Sequence, residues 1–425
     1  MKTILVLLDG LSDRPQKELK GKTPLQAAHT PNMDALAAIS ETGTMIPWKP
    51  GIPLGTEAAH FHLMGYPMED FPGRGIISAL TVEEELETDA LYLMKTWAYL
   101  KKTEEGYRVL QRDLTDLTKE EVSALSQCLP REMDGISIEW QQQEGPHSLL
   151  KLKGKDLDHR VSDSDPFYPQ GWLHQVMAFE TEDEKAVNTA DFLNRYILEV
   201  MERLKNHPVN KKRIAEGKEP ANGILTKWAG KKTVLEPFQQ RYGMKGVMLA
   251  GTKLLKGVAR LTGMDYVRYE SFQQGIQWAL EDHTYDYIHL HNKKPDDASH
   301  TMGAVAKKKI IETIDQELGT LIQETKEKIE KGELLLIITS DHTTASDGKM
   351  IHTGDAVPIL FCGKTLRPDG VKKFDEKSVS QGSLRMSGAD LIPLIMNYTE
   401  RSLFYSYRMG GKALRYVPTH IPRLK

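Results

Sequence analysis

The first ten residues, MKTILVLLDG (1–10), contain the pattern that decides the fold. Five consecutive apolar residues, Ile4 to Leu8, precede Asp9 and Gly10. A short apolar run that ends in a turn signal predicts a strand buried on both faces, with Asp9 at its C-terminal end. Because ligands bind outside the C-terminal ends of strands in open α/β sheets, Asp9 is a candidate ligand. An aspartate before a glycine is also an ordinary turn residue, and the position alone does not decide between the two.

Similar apolar runs recur along the chain and alternate with helical patterns. The further runs are 246–250, 287–290, 334–339 and 357–361. Apolar residues at helical spacing between 305 and 331, followed by Gly332, predict a long helix. Thr30 and Pro31 carry the cap and first-turn signals of another helix. Strands that alternate with helices predict an α/β domain with a mostly parallel sheet flanked by helices.

The stretch 83–169 shows a different order of elements. Its patterns predict strand, strand, helix, strand and strand, which is typical of a small α+β domain. We therefore predict a discontinuous α/β core, 1–82 and 170–425, with 83–169 inserted as a second domain. The polar stretch 205–222 is compatible with either a solvated connector or a loop on the substrate side.

Composition excludes several classes of protein. The 425 residues are 40% hydrophobic and carry a formal net charge of -3, so no electrostatic argument favours nucleic acid or an anionic membrane surface. Two cysteines cannot build a disulfide framework or a zinc ribbon. No apolar run is long enough for a membrane span, and the first is too short for a signal peptide. We expect a cytoplasmic protein, and a homo-oligomer is compatible with the sequence.

A hydroxyl group lies near a predicted helix N-terminus in GIPLGTEAAHFHLMG (51–65). Thr56 follows Pro53 and Gly55, where unsatisfied backbone N–H groups attract an anion. A threonine there can simply cap the helix. It can also bind a metal ion, lose its proton and attack phosphorus.

Two further stretches combine carboxylates with histidines. In HLHNKKPDDASH (289–300), Asp296 and His300 are four residues apart and share one face of a helix that Pro295 can start. That spacing suits a metal site, and it also occurs in plain surface contacts. A second stretch, 334–360, contains a buried strand that ends in Asp341 and His342, followed by His352. An adjacent aspartate and histidine at a strand end need a partner if they are buried.

The candidate ligands together are three aspartates, three histidines and one threonine hydroxyl. Mixed carboxylate and imidazole ligands without a thiolate suit Mn²⁺, Zn²⁺ or Mg²⁺, and we expect Mn²⁺. Seven ligands exceed the need of one ion. They suit two ions about 4 Å apart, the arrangement that holds the attacking and leaving oxygens in phosphoryl transfer.

The ordered set of motifs resembles the alkaline phosphatase superfamily and, within it, the archaeal-type cofactor-independent phosphoglycerate mutases. The matching stretches cover nearly the whole chain apart from the insert; they are Asp9-Gly10, KTPLQAAHTPNMDALA (22–37), GTEAAHFHLMGY (55–66), GRGIISAL (73–80), RVSDSDP (160–166), NHPVN (206–210), PANGIL (220–225), KGVARLTGM (256–264), and the DDASH and SDH segments. The resemblance implies a metal-bearing α/β core, an inserted substrate-side domain and two divalent ions.

The resemblance also implies roles for individual residues. Asp9, Thr56, Asp341 and His342 would hold one ion, and Asp296, His300 and His352 the other. Thr56 stands at the position of the family's nucleophile, which is normally serine. The groups expected near the substrate are Arg160, Asp163, Lys227, Lys293 and His60, the last as a candidate proton donor on the same helix face as Thr56.

The chain departs from the family pattern at two places. It has Gly55-Thr56-Glu57 where the family usually has Gly-Ser-Asp, and Lys227-Trp228-Ala229-Gly230 where the family usually has Arg-Gly-Ala-Gly. Arginine binds a carboxylate or phosphate through two parallel bonds, whereas lysine offers a point charge. Trp228 would fill space that a glycine leaves open.

The sequence is therefore compatible with three functions. The first is a metal-dependent mutase that interconverts 3-phosphoglycerate and 2-phosphoglycerate through a phosphothreonine at Thr56. The second is a related phosphotransferase or phosphatase acting on another small phosphorylated metabolite. The third is a relative that binds metal or ligand without catalysis; the presence of all seven presumptive ligands argues against it.

Overall fold

The computed structural model describes residues 1–143, 147–167, 171–404, 415–416 and 424. The strands are β1 (Lys2–Leu8), β2 (Glu41–Ile46), β3 (Ala90–Thr103), β4 (Gly106–Gln111), β5 (Glu132–Met133), β6 (Ile136–Gln142), β7 (His147–Lys153), β8 (Gly223–Lys231), β9 (Gly246–Ala250), β10 (Asp265–Arg268), β11 (Tyr287–Asn292), β12 (Leu334–Thr339), β13 (Val357–Cys362) and β14 (Leu384–Ser387). The α-helices are α1 (Pro24–Ala27), α2 (Pro31–Ala37), α3 (Thr56–Leu63), α4 (Arg74–Val82), α5 (Lys119–Gln127), α6 (Glu184–Lys205), α7 (Pro208–Ala215), α8 (Phe238–Tyr242), α9 (Leu254–Thr262), α10 (Phe272–Glu281), α11 (Lys294–Thr301), α12 (Ala304–Lys331) and α13 (Leu391–Tyr398). These residues form two compact units, the first made of Met1–Phe71 and Leu235–Lys425, the second of Pro72–Val234.

The first unit is built on an eight-stranded sheet with the order β10-β9-β11-β1-β12-β13-β2-β14. Strands β10, β9, β11, β1 and β12 run parallel, and β13 is antiparallel to both of its neighbours. The prediction of a mostly parallel sheet flanked by helices is confirmed. The continuous apolar run of β1 is explained by its central place, since a strand covered on both faces has no polar side.

The long helix α12 anchors the sheet of the first unit. It runs from Ala304 to Lys331 and ends at Gly332 in the left-handed conformation, as the sequence predicts. Its residues Ile311, Ile314, Leu318 and Leu321 are fully buried in the same core as β1, β11 and β12. Burying each such side chain contributes about 1.5–3 kcal/mol, so this face fixes the helix against the sheet. The predicted cap of α2 is wrong in detail, because the Thr30 side chain makes no capping hydrogen bond.

Register brings three strand ends to one edge of the sheet. Leu8, the last residue of β1, pairs with Asn292 of β11, and Leu7 pairs with Thr339, the last residue of β12. Because these strands are parallel and adjacent, the residues that follow them emerge side by side. This edge is where the candidate ligands lie.

The second unit contains a six-stranded antiparallel arrangement. Its order is β4-β3-β7-β6-β5, and β8 pairs with β3. The unit spans Pro72–Val234 and so has wider bounds than the predicted insert 83–169; β8 lies in its sheet and α6 packs on its core. The predicted boundary at 169–170 lies outside the described residues. The polar stretch that follows α6 forms helix α7, in which Arg213 is fully buried and paired with Asp116 and Glu121.

A buried lysine interrupts the core of this second unit. Lys95 on β3 is fully buried, and its Nζ lies 3.7 Å from the ring centroid of Trp97 and 5.4 Å from that of Trp140. Within the described parts of the chain it has no hydrogen-bond partner. Burial lowers the pKa of Lys95 to about 7, because the charged form loses its hydration.

Lys95→Met is expected to stabilise the protein at neutral pH and to flatten its pH dependence. In the unfolded chain Lys95 keeps a pKa near 10.5, so between about pH 7 and that value the unfolded state binds the extra proton and wild-type stability rises with pH. The variant's advantage in the free energy of unfolding should therefore shrink by roughly 2–4 kcal/mol across this window. Urea unfolding of wild type and Lys95→Met at several pH values measures this difference in the free energy of unfolding. Lys101→Met, an exposed position on the same strand, is the control; equal slopes for wild type and Lys95→Met would refute the assignment.

None of the helices in the described residues has both the length and the apolar character that crossing a membrane requires.

Candidate metal centre

Three aspartates meet at the edge where β1, β11 and β12 end. Asp9 directly follows β1, Asp341 comes two residues after β12, and Asp296 lies in the first turn of α11, just after β11. All three are buried. Their positions follow from the parallel register, which aligns strand ends that are far apart in the chain.

The first ligand group consists of Asp9, Asp341 and His342. One ligand atom from each lies within 4.8 Å of the others. The Nε2 atom of His342 is 3.3 Å from Asp9 Oδ1 and 3.2 Å from Asp341 Oδ2. Two carboxylates and an imidazole at this spacing can close around one divalent ion.

The second ligand group consists of Asp296, His342 and His352, whose ligand atoms also lie within 4.8 Å of one another. His352 Nε2 is 3.6 Å from Asp296 Oδ1, and its Nδ1–H donates to the carbonyl of Leu54 at 2.6 Å, which leaves Nε2 free to bind a metal. His300 lies at the edge of this group, with Nε2 3.2 Å from Asp296 Oδ1. His342 thus belongs to both groups, whereas the resemblance assigns it to one.

Electrostatics favour a cation at this edge. Burial and then the neighbouring charge of Asp9 raise the pKa of Asp341 well above its ordinary value. Burial also opposes ionisation of Asp296, but the neighbouring imidazoles of His300 and His352 and the charge of Lys293 outweigh it and lower its pKa. Lys293 is the ammonium among these carboxylates, 3.3 Å from Asp9 Oδ2 and 2.8 Å from Asp296 Oδ2. One ammonium does not neutralise three carboxylates.

Unsatisfied oxygens provide a direct test of whether a metal fits. Asp9 Oδ1 and Asp341 Oδ2 are buried and accept no well-formed hydrogen bond from the residues that the structure describes. A buried carboxylate oxygen without a donor is costly unless a cation binds it. The two oxygens lie 3.3 Å and 3.2 Å from His342 Nε2. The donor set and its orphaned atoms therefore fit divalent metal.

Thr56 is the first residue of α3 and points into this cluster. It is buried, and its Oγ1 lies 3.4 Å from His342 Nε2. Gly55 precedes it as the N-cap and has no side chain with which to cap the helix. The N–H groups of the first turn and the hydroxyl therefore share one location, which suits a phosphate.

His60 lies one turn further along α3 and is completely buried. Its Nδ1–H donates to the carbonyl of Thr56 at 2.7 Å, and its ring packs 5.0 Å from His289 and 5.1 Å from His291. Burial lowers the pKa of His60 to about 3, so the ring is neutral near pH 7. A neutral, enclosed imidazole bonded to the backbone of Thr56 fits a positioning role better than the proton donor expected from the sequence.

Three predicted substrate groups belong to the second unit. Arg160 is partly exposed and pairs with Asp158, Glu180 and Asp183. Asp163 accepts a hydrogen bond from the backbone N–H of Trp228 at 2.6 Å, and burial raises the pKa of Asp163 to about 6. Lys227 is buried, and its Nζ lies 3.0 Å from Asp165 Oδ2.

Trp228, in the motif that departs from the family pattern, has an unusual backbone conformation. Its φ of 61° lies in the left-handed region, which glycine adopts without strain and which a bulky residue avoids. The indole is held by the guanidinium of Arg74, 4.2 Å from its ring centroid, and by Phe167, with ring centroids 5.9 Å apart. A tryptophan in that conformation is retained where surrounding contacts fix it.

Sequence analysis missed two residues that contact the ligand groups. His291 Nε2 lies 2.9 Å from Asp9 Oδ2, and the alternation of His289 and His291 along β11, which puts both on one face, was the available signal. Thr344 Oγ1 lies 2.7 Å from Asp296 Oδ1 and 3.0 Å from His342 Nδ1. A threonine two residues after a histidine carries no pattern that would have singled it out.

Comparison with known proteins first defines the class. The family model described as "Metalloenzyme superfamily" matches residues 1–398, which contain both ligand groups. The chain is 45% identical over 426 residues to "2,3-bisphosphoglycerate-independent phosphoglycerate mutase 2" of Methanocaldococcus jannaschii, covering 98% of each chain. It therefore belongs to the metalloenzyme superfamily and, within it, to the family of 2,3-bisphosphoglycerate-independent phosphoglycerate mutases, as the resemblance predicted.

Two solved structures share the architecture. A protein of Pyrococcus horikoshii superposes with a TM-score of 0.76 at 29% identity, covering 95% of this chain and 99% of that one. The cofactor-independent phosphoglycerate mutase of Thermoplasma acidophilum gives a TM-score of 0.63 at 28% identity, covering 94% and 100%.

Proposed function

We propose that the protein is a metal-dependent mutase that interconverts 3-phosphoglycerate and 2-phosphoglycerate through a phosphothreonine at Thr56. The observation that carries the proposal is the place of the Thr56 hydroxyl, 3.4 Å from His342 Nε2 and at the N-terminus of α3. The Thr56 hydroxyl as nucleophile, the anion-binding end of α3 and the candidate metal ligand His342 therefore lie close together. Membership of the mutase family supports the substrate.

Two divalent ions, most suitably Mn²⁺, complete the proposed centre. The ligand sets are Asp9, Thr56, Asp341 and His342 for one ion and Asp296, His300 and His352 for the other. When bound, such ions lower the pKa of a hydroxyl and neutralise the negative charge of a transferring phosphoryl group. The orphaned oxygens of Asp9 and Asp341 and the metalloenzyme family support this proposal.

Thr56 performs the covalent chemistry in this proposal. Its Oγ forms a bond to phosphorus while the bond from phosphorus to the substrate oxygen breaks, and the proton that Oγ gives up balances the one that the leaving oxygen takes to become a hydroxyl. The retained glycerate then attacks the phosphothreonine with its neighbouring hydroxyl, which returns the phosphoryl group to the other carbon. The first-turn N–H groups of α3 hold the phosphate oxygens during both transfers. Burial of Thr56 limits the access of water, which would otherwise hydrolyse the intermediate.

Substrate recognition is assigned to cationic and polar side chains. We propose that Lys227, Arg160, Asp163 and Lys293 bind the anionic phosphoglycerate, with His60 positioning Thr56. The three carboxylates around Arg160 would have to share its guanidinium with the substrate. Lys227 is the residue for which a test is most direct, because it stands where the family usually has arginine.

A second function rests on one observation. Lys227 and Trp228 replace an arginine and a glycine, and Trp228 holds a left-handed backbone with its indole against Arg74. This altered motif favours a phosphotransferase or phosphatase that makes the same phosphothreonine but acts on another small phosphorylated metabolite.

The Mn²⁺-loaded protein is expected to convert 3-phosphoglycerate to 2-phosphoglycerate in an enolase-coupled assay. Lys227→Met should raise KM by about tenfold or more with a smaller change in kcat, because it removes a charge that binds ground state and transition state alike. Lys227→Arg, which keeps the charge, is the matched control. Thermal unfolding of each variant checks that Asp165, the buried partner of Lys227, does not destabilise the second unit.

The alternative predicts a different outcome in the same preparations. No conversion of 3-phosphoglycerate, together with release of inorganic phosphate from another phosphorylated metabolite, would refute the mutase and favour the second function. Metal binding with neither activity would leave only a binding protein. Equal KM for wild type and Lys227→Met would remove Lys227 from the substrate site.

A further inference from the structure

We infer that Thr344 is a positioning residue that links the two ligand groups and sets the affinity of both for metal. The inference rests on the metal dependence of the proposed function, but it concerns binding and can be tested without a substrate. Thr344 is fully buried and lies on the segment that follows β12.

The hydrogen bonds of Thr344 have only one consistent direction. Its Oγ1 is 2.7 Å from Asp296 Oδ1 and 3.0 Å from His342 Nδ1. The ionised Asp296 carboxylate can only accept, so the single hydroxyl proton is donated to it. The hydroxyl oxygen must then accept the Nδ1–H of His342.

This direction fixes the state of the shared ligand. With its proton on Nδ1, His342 presents the unprotonated Nε2, which is the atom that faces Asp9 and Asp341. A metal-binding histidine depends on such a partner, because the bond made by one ring nitrogen decides which tautomer the other offers. The same hydroxyl holds Asp296 Oδ1, the oxygen closest to His352 in the second group. One side chain therefore orients His342 of the first group and the Asp296 carboxylate of the second.

The surrounding chain holds Thr344 rigidly. Lys307 of α12 donates from its fully buried Nζ to the carbonyls of Thr344 at 3.0 Å and Ser12 at 2.9 Å, and the Thr344 N–H donates to the Ser12 carbonyl at 3.1 Å. Gly10 makes room for the arrangement. A Cβ at that position would lie 2.5 Å from Thr344 Oγ1 and 2.8 Å from Asp296 Oδ1, and its φ of +59° also suits glycine.

Removal of the hydroxyl should therefore weaken both metal sites together. Without an acceptor on Nδ1, His342 can place its proton on Nε2 and turn away from the ligand position, while Asp296 loses a donor that holds its oxygen. Loss of such an outer partner typically lowers metal affinity by about 10- to 100-fold.

Calorimetric titration of Mn²⁺ into the metal-stripped full-length protein tests the inference. Thr344→Val, which keeps the shape and removes the hydroxyl, should weaken both binding events by about 10- to 100-fold, whereas Thr344→Ser should bind within about threefold of wild type. Thr343→Val is a matched control: Thr343 is the adjacent buried threonine, and its Oγ1 has no hydrogen-bond partner among the described residues. That variant should bind Mn²⁺ as wild type does.

The outcomes separate this inference from the proposed function. The role of Thr344 in linking the two groups would be overturned if wild type and Thr344→Val bound Mn²⁺ with equal affinity. It would also be overturned if the variant lost affinity in only one of the two binding events. If Thr344→Val does not fold in EDTA by thermal unfolding, Thr344→Ala provides the same comparison. Weakened binding in a protein without mutase activity would support the Thr344 assignment and count only against the mutase. A wild-type protein that binds no Mn²⁺ would overturn both.

Discussion

Thr56→Ala is expected to reduce mutase turnover by about 10⁴-fold or more, because it removes the only atom that the proposed mechanism phosphorylates. The change leaves Asp9, Asp341 and His342 in place, so at least three of the ligands of the first ion remain. Incubation with 3-phosphoglycerate followed by intact-protein mass spectrometry should show a phosphorylated species in wild type under rapid quench and none in the variant.

Thr56→Ser is the matched control for that experiment. Serine keeps the hydroxyl and is the residue that the family normally has at this position, so activity within about tenfold of wild type is expected. Thr56→Val keeps the shape of threonine and should behave as the alanine variant does. Near-normal turnover of Thr56→Ala, or a phosphate mapped to another residue, would end the nucleophile assignment while leaving the metal centre untouched.

Asp341→Asn is expected to separate metal affinity from the stability of the metal-free protein. Asp341 is buried beside the like charge of Asp9, which with burial raises its pKa well above the ordinary value. A neutral asparagine relieves that repulsion and keeps an oxygen to accept from the N–H groups of Gly10 at 3.1 Å and His342 at 3.0 Å. The metal-free variant should therefore be at least as stable as wild type. Its affinity for Mn²⁺ should fall by about 100-fold or more, since a charged ligand is lost, and mutase activity should fall with it.

Thermal unfolding with EDTA and with Mn²⁺ measures both effects in one experiment. A bound ion raises the unfolding temperature of wild type, and the variant should lose most of that increase. Asp315→Asn is a suitable control, because Asp315 is a buried aspartate of α12 that accepts from the Met33 N–H at 2.8 Å and lies outside both ligand groups. Unchanged stabilisation of Asp341→Asn by Mn²⁺ would contradict its role as a ligand.

The fold class could be predicted from the sequence because the patterns that indicate it are local. The apolar run of β1, the spacing in α12 and Gly332 at its end each depend on neighbours within a few turns or strand residues. Alternation of such elements restricts the architecture to parallel α/β, whose strand ends bind ligands. The second unit also depends on long-range pairing, since β8 joins its sheet by pairing with β3 more than a hundred residues earlier.

The candidate site could be predicted only in part, because sequence patterns report local structure and not long-range distances. Carboxylates, histidines and a hydroxyl at predicted strand and helix ends could be singled out one by one. Their distances could not, because Asp9 and His291 are 282 residues apart in the chain and Gly10 and Asp341 are 331 apart.

The sequence by itself determined the class of fold, the residues available as ligands and the position of Thr56 at a helix start. Only the tertiary structure decided that His342 belongs to both ligand groups, that His60 is enclosed and neutral, and that Thr344 joins His342 to Asp296. The physical reason is that periodicity and capping act over a few residues, whereas burial, hydrogen-bond direction and the sharing of a ligand depend on which distant strand ends the sheet register aligns.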